Sequence, residues 1–412
     1  MGRRLFITAA VLVLVPTGGA AAATKPSGSW AGPEIRTVAA AGLMGATDAA
    51  TFRGSDLLTA QTLENLVFGL KQVVFPPDPT PQPPVPPPPP NPAVPAPTTP
   101  GSTTPTQTTP APPPPPTTPT TTTPTATTTT PTTTTPVPPP APTAPRQLAR
   151  PDAPVTMAKL DLRMVQALNL GAAANEFAAG ARAAGLTVPG RFGTEVVARL
   201  LGLRTNHPAR LDSIELLPTD LATRAEAAYS VAQVLHFSGW EAAGVQSLAD
   251  GFSLPPLTPW QTKILDTAVA RIGMPYIWGG TSDGPETDFG VPARGGYDCS
   301  GFVWRVYKLE PYPGGEALAS VLRGRTTFQM SVEVPRSQRI SFANLQPADV
   351  IFFGDKGPRS QSADVGHTGI YLGNGWFIHS SDYGVALATL DGWYRRDFAW
   401  GRRPLAEAHL EG

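Results

Sequence analysis

The sequence predicts two architectures in one chain: an all-α, helical repeat-like N-terminal region and an α+β C-terminal domain. Apolar residues recur at helical spacing on both sides of a proline- and threonine-rich tract, whereas strand-like apolar runs appear only from Asp349 onward. In the last third of the chain helical patterns come first and an antiparallel set of strands after them, the order of an α+β domain.

Residues 1–23 read as an export signal. Gly2-Arg3-Arg4 is basic, Leu5 to Val15 is apolar, and Ala20 to Ala23 offers a small-residue cleavage site. Arg3-Arg4-Leu5-Phe6 resembles a twin-arginine signal. The apolar run is too short for a stable membrane span, and no other stretch is long and apolar enough. The mature chain is expected to be secreted. Basic and acidic residues balance at 31 each, which argues against a dedicated nucleic-acid binder.

A helical segment is expected over 24–75, with Leu63, Leu66, Val67 and Leu70 on one face. Residues 76–149 hold most of the 51 prolines and runs such as Thr120 to Thr123. That composition cannot bury apolar surface and predicts a disordered spacer. At about 3.1 Å per residue of polyproline II, it would reach on the order of 200 Å, enough to cross a thick wall.

A second helical region is expected over 150–250, with segments starting at Thr156, Phe192 and Thr223. Thr59, Thr156 and Thr223 suit N-caps, and Thr223-Arg224-Ala225-Glu226 has the capping-box pattern, Glu226 reaching back to the cap N–H. Short helix pairs cannot each bury a face alone and are expected to stack. Leu217-Pro218 through Thr223-Arg224-Ala225-Glu226-Ala227-Ala228 resembles an S-layer homology repeat, and Phe52-Arg53-Gly54 through Leu58-Thr59 is a weaker echo. The spacing is irregular and one copy keeps Thr-Arg-Ala-Glu. The resemblance implies non-covalent attachment to a secondary cell-wall polysaccharide; a plain accessory helical domain is the alternative.

The C-terminal domain is expected over 257–412: a helix from Thr262 to Ile272, a loop through Gly296, a second helix after it, then strands at Asp349 to Phe353, His367 to Leu372 and Trp376 to His379. Cys299 is the only cysteine in 412 residues. In an exported chain it cannot form an internal disulfide, so a reactive role is the reading to pursue. It follows Gly295-Gly296 and precedes a helical pattern at Phe302, Val303, Val306 and Leu309. At the first turn of a helix, free N–H groups and the dipole are expected to stabilise a thiolate.

Of five histidines, His207 and His236 lie in the helical region and His409 in the tail. Only His367 and His379 fall on strand patterns in the cysteine's own domain. Gly373-Asn374-Gly375 separates those strands as a turn. A three-residue loop would pair Gly369 with His379 and put His367 on the same face, diagonally across the ladder; a two-residue loop would put the histidines on opposite faces. Cys299 is then the nucleophile, His367 the base and His379 the group that fixes the base's tautomer, with the backbone N–H of Cys299 or Ser300 serving the oxyanion. No spacing suggests metal ligands, and no cofactor is expected.

Pro275-Tyr276 with Trp278-Gly279-Gly280, Asp298-Cys299-Ser300-Gly301-Phe302, Gln329, Leu345-Gln346-Pro347-Ala348-Asp349, His367 through Gly373 and Ile378-His379 together resemble the NlpC-type cell-wall peptidase family. The resemblance implies a papain-like fold, the same three catalytic residues, and peptidoglycan stem peptides as substrate, usually cut after D-glutamate before the diamino acid. Members that need a free N-terminal L-alanine bind its amine at positions matching Tyr276, Asp298 and Ser300; a helix-capping role is the other reading of Asp298. Ala348 replaces the family's usual glycine, and the loop Thr281 to Gly296, with Asp283, Glu286 and Asp288, is longer than usual and would narrow the cleft.

The sequence thus points to a secreted, cell-wall-associated cysteine endopeptidase. Two other classes remain at this level. One is a wall-anchored scaffold with a decayed peptidase domain, which retention of Cys299, His367 and His379 argues against. The other is a thiol amidase or transpeptidase on another amide.

Overall fold

The computed structural model describes residues 29–45, 51–76, 144–207 and 215–411. The export signal and nearly all of the proline-rich tract lie outside the described residues. What flanks that tract belongs to a single compact unit.

Among the described residues seven helices precede the α+β domain: α1 Gly32–Ala40, α2 Ala60–Val74, α3 Met157–Ala167, α4 Gly171–Ala183, α5 Phe192–Leu200, α6 Arg224–Leu235 and α7 Glu241–Asp250. Three extended segments lead into α2, α3 and α6 and close a ring of hydrogen bonds. Leu58 N donates to Ala222 O at 2.8 Å, Ala222 N to Val155 O at 2.7 Å, and Val155 N to Leu58 O at 3.1 Å. Each segment ends in a threonine that caps its helix: Thr59 accepts from Thr62 N, Thr156 from Lys159 N and Thr223 from Glu226 N. The expected box at Thr223 is half formed. The Glu226 carboxylate is buried and turns to His207 Nε2 at 3.2 Å, because a histidine that is 3% exposed needs a partner there.

Residues before and after the proline-rich tract therefore build one body, not two. Arg163 forks onto Glu64 at 2.8 and 2.6 Å, and the Gln61 side chain donates to Arg146 O and accepts from Leu148 N.

The α+β domain opens with α8, Pro259–Val269, three residues earlier than expected because Thr258 and Gln261 form a full capping box with proline in the first turn. Two short ribbons follow, β1 (Thr281–Ser282) with β4 (Gly296–Tyr297), and β2 (Glu286–Asp288) with β3 (Val291–Ala293). Then come α9 (Cys299–Trp304), which runs into a π-helical turn to Leu309, α10 (Leu318–Val321) and α11 (Thr327–Val332). The sheet contains β5 (Val350–Gly354), β6 (Val365–Gly373), β7 (Trp376–Ser381), β8 (Gly384–Thr389) and β9 (Phe398–Arg402), with α12 (Gly392–Asp397) between the last two. It is antiparallel throughout, in the order β8-β7-β6-β5-β9.

One continuous core joins helices and sheet. Trp376 on β7 meets Phe177 of α4 and Phe252 edge-on, with ring centroids 5.7 and 5.1 Å apart. Arg199 on α5 donates to the backbone oxygens of Gly273 and Tyr383, and Asn206 N donates to Asp382 O. The helical region is thus fused to the α+β domain and is not a freely hinged appendage. No helix among the described residues is long and apolar enough to cross a membrane.

Candidate active site

Cys299 begins α9 and is partly exposed in a cleft of about 440 Å³. His367, from β6, lines the same cleft, as do Tyr276, Trp278, Phe289, Asp298, Ser300, Arg325 and Thr327. Cys299 Sγ lies 3.5 Å from the Thr327 hydroxyl.

The two strand histidines touch: His367 Nε2 is 2.7 Å from His379 Nδ1. The turn that brings them together differs from the three-residue loop expected. Gly373 pairs with Trp376, so Asn374 and Gly375 form a two-residue turn, both with positive φ (49° and 81°). An irregularity between Tyr371 and Gly373 then absorbs one residue, and Ile370 pairs with Ile378. The bulge restores the parity that a bare two-residue loop would have reversed. It sets Gly369 opposite His379, where an added Cβ would lie 3.0 Å from the His379 Cβ and 2.9 Å from Ile378 O. A side chain there would press on the β7 backbone and on the Phe377 ring, also 3.0 Å away.

A fourth group extends this chain. The Tyr394 hydroxyl of α12 lies 3.4 Å from His379 Nε2. If Nδ1 of His367 is to take a proton, its Nε2 carries hydrogen and donates to His379 Nδ1; His379 Nε2 then carries hydrogen toward Tyr394.

The thiol does not behave as its helix-terminal position suggests. Burial pushes the Cys299 thiol above its ordinary value and the Asp298 charge adds to this, while Thr327 and the backbone N–H groups of Ser300 and Thr368 pull the other way. Burial is the largest of these effects and disfavours the charged thiolate. Burial also pushes His367 down to about 4 and His379 well below its usual range, the neighbouring His367 adding to the latter. These directions favour the thiol form of Cys299 and the uncharged form of both imidazoles at neutral pH. Cys299 and His367 line one cleft, as a thiol and a base that exchange a proton must.

Asp298 caps α9 by accepting from Gly301 N, and also accepts from Ser300 Oγ at 3.0 Å and Gly279 N at 3.0 Å. Arg325 closes over it, 3.2 Å from one carboxylate oxygen and 3.3 Å from the other, and donates to Ser300 Oγ at 2.8 Å and Gly279 O at 2.7 Å. Gln329, quoted within the family motif, lies outside the lining; it forms a capping box with Thr326 at the start of α11. Ala348 has φ +68°, the left-handed conformation that explains a glycine preference at that position.

The loop at 281–296 is ordered by its acids. Asp283 accepts from the Tyr297 hydroxyl and pairs with Arg271 at 2.8 Å, and Glu286 accepts from Thr281 N and Ser282 N. The β2–β3 turn is Phe289-Gly290, with φ +50° and +79°. A phenylalanine in that conformation costs on the order of 1 kcal/mol relative to glycine. Arg325, Thr327, Phe289 and Tyr394 are not marked by any local spacing: Arg325, Thr327 and Tyr394 are distant along the chain from Asp298, Cys299 and His379, and Phe289 sits in a loop noted only for its acids. Among the described residues no cluster of His, Cys, Asp or Glu could hold a metal ion.

The sequence profile of the NlpC/P60 family matches residues 273–403. Over 130 residues the chain is 30% identical to a probable endopeptidase of Mycobacterium tuberculosis, covering 32% of this chain and 26% of that protein. It is 29% identical over 133 residues to the probable peptidoglycan endopeptidase LytE of Bacillus subtilis, covering 32% and 31%. It is 31% identical over 153 residues to the murein DD-endopeptidase MepH of Escherichia coli, covering 36% and 48%. Among solved structures, an NlpC/P60 family protein from Bacillus cereus is 27% identical, with 37% of this chain and 42% of that one covered and a TM-score of 0.28. The chain spans about a quarter of the length of the mycobacterial relatives. Residues 273–403 of this chain are therefore an NlpC/P60 domain.

Proposed function

We propose that the protein is a secreted, wall-associated peptidoglycan hydrolase whose C-terminal domain is a cysteine endopeptidase acting on stem peptides, at the bond between D-glutamate and the diamino acid. The observation that carries this is the imidazole pair: His367 and His379 lie 2.7 Å apart on neighbouring strands, and His367 shares its cleft with the chain's one thiol. Cys299 is the nucleophile, His367 the base and His379 the orienting group. The names of the bacterial relatives support the substrate class. Tyr276, Asp298 and Ser300 line that cleft and are read as the residues that meet the peptide on the N-terminal side of the scissile bond. The test is release of new amino termini from purified peptidoglycan by the mature protein, with products identified by mass spectrometry. Cys299→Ala should abolish release, and activity surviving that change would sink the mechanism.

The helical region is read as a site for secondary cell-wall polysaccharide. Supporting this is a pocket of about 300 Å³ lined by Gly42 to Gly45, Thr62, Asn65, Gly69 and Arg224. Arg224 is held there by Phe52 O and Met44 O. Loss of binding to walls stripped of that polymer, and on Arg224→Ala, is the expected result; unchanged binding would refute it.

A further inference from the structure

Tyr394 is held by a second, smaller apolar cluster that includes Phe353 and Phe377. Its ring meets Phe377 and Phe353 edge-on, with centroids 4.8 and 5.3 Å apart, and Trp393 stacks on it at 3.8 Å. It stands at 86° to the His379 ring, 5.3 Å away. These contacts set the hydroxyl 3.4 Å from His379 Nε2, its one hydrogen-bond partner among the described residues. Tyr394 does not line the cleft, so any part it plays in the chemistry runs through His379.

His379 is 2% exposed, so both its ring nitrogens need partners inside the protein. Nδ1 has His367 Nε2, and Nε2 has Tyr394. Neither ring hydrogen-bonds a carboxylate, so no charge dictates which way the hydrogens point. Two arrangements satisfy this chain. In one, Tyr394 donates to His379 Nε2, His379 Nδ1–H donates to His367 Nε2, and His367 holds its hydrogen on Nδ1. In the other, both imidazole hydrogens point toward Tyr394, which accepts, and His367 Nδ1 keeps a free lone pair. Only the second leaves a base. It also survives the reaction step: when the Cys299 proton arrives at His367 Nδ1, the imidazolium still donates through Nε2 and no other hydrogen moves. Burial keeps the Tyr394 phenol protonated, so it accepts as a neutral group, and a half-buried tyrosine can turn its own hydrogen to solvent.

We propose that Tyr394 is a positioning residue that ends the imidazole pair as a hydrogen-bond acceptor and so holds both His379 and His367 in their Nε2–H forms. The role of His367 as base rests on the peptidase reading above; the direction of the hydrogens is a property of the resting protein.

The test uses the full mature chain with histidine labelled by heavy nitrogen and read by NMR near neutral pH, the His379 signals being assigned by comparison with His379→Gln. His367 and His379 should each show a protonated Nε2 and a bare Nδ1. Tyr394→Phe keeps the ring and removes the oxygen. His379 should then gain an Nδ1–H population, and kcat on a soluble muropeptide should fall about tenfold with KM within about twofold. Trp393→Ala removes the stacked ring but no polar partner and should leave both tautomers in place. A His379 protonated on Nδ1 in the unsubstituted protein overturns the inference. So do tautomers or a kcat that Tyr394→Phe leaves unchanged, and so do equal tautomer shifts in the two variants, which would reduce Tyr394 to packing. The nitrogen signals are read without substrate, so the expected tautomers in a protein that cuts no muropeptide would sink the peptidase reading alone.

Discussion

Arg199 offers a direct measure of how firmly the helices hold the NlpC/P60 domain. Its side chain is 1% exposed. Its terminal nitrogens donate to Tyr383 O, to Gly273 O at 2.7 Å and to the Glu215 carboxylate at 3.0 Å, and Nε lies 3.5 Å from Glu195. Arg199→Met keeps much of the volume and removes every donor. Two backbone oxygens then lose their partner, and Glu195, with a side chain 1% exposed, loses its counter-charge. Breaking a buried pair from one side costs about 3–5 kcal/mol. With about 2–4 °C per kcal/mol for a domain of this size, Tm should fall by roughly 10 °C. Glu215 keeps its second partner, Arg204, at 3.0 Å, so the loss falls mainly on Glu195 and the two backbone oxygens. Denaturant unfolding should show the loss, and Arg199→Lys should fall between the two proteins. A loss under about 1 kcal/mol would refute a clamp made of this arginine.

Four further outcomes are expected. Ala348→Gly relieves a left-handed alanine and should stabilise by about 0.5–1 kcal/mol in thermal unfolding; a lowered Tm would show that the alanine methyl matters more than the backbone. Because burial holds His367 down to about 4, the base form is present well below pH 6, so the acid limb of kcat/KM should lie below the ordinary histidine value. The same depression means that the stability this uncharged histidine confers is complete above the unfolded value and is lost as pH falls through about 4; an acid limb near 6.5 would contradict both. A chain cut at an engineered protease site between 77 and 143 should keep residues 29–76 bound through Leu58, Gln61 and Glu64, seen as co-elution on gel filtration. Separation of the two pieces would show that the ring of extended segments is not self-sustaining.

Much of the fold was legible because its signals are local. The threonine caps at Thr59, Thr156 and Thr223 and the strand runs around Phe352, Ile370 and Ile378 show in short windows, as does the glycine-flanked Cys299. That His367 and His379 share a face could be reached by counting, although the loop that was counted is not the one formed. Residue parity gave the right face because the bulge beside Leu372 compensates for the shorter turn, and bulges leave no simple mark in sequence. The effect of burial on the thiol is not legible in the same way: a helix dipole can be guessed from a pattern, while desolvation depends on everything packed around the sulfur. Arg325 over Asp298 spans 27 positions with no periodicity to announce it. The shared core was hidden in the same way: Trp376 reads as one residue of a strand until Phe177 and Phe252 are seen against it.

That shared core bears on the chemistry through β7. One face of this strand carries Trp376 and Ile378 into the core made with the helices. The other carries Phe377 and His379, which pack with Tyr394. The helices therefore press on the back of the strand whose front positions the His379 imidazole. The β7–β8 turn is tied to the same body, through Arg199 to Tyr383 O and Asn206 to Asp382 O. A histidine pair separated by 2.7 Å tolerates little movement of one strand against the next. The helical region consequently supports the position of His379 whatever else it binds. Its removal would expose Trp376 and loosen the tautomer chain to His367, so a fragment starting near residue 257 is a poor surrogate for the intact protein.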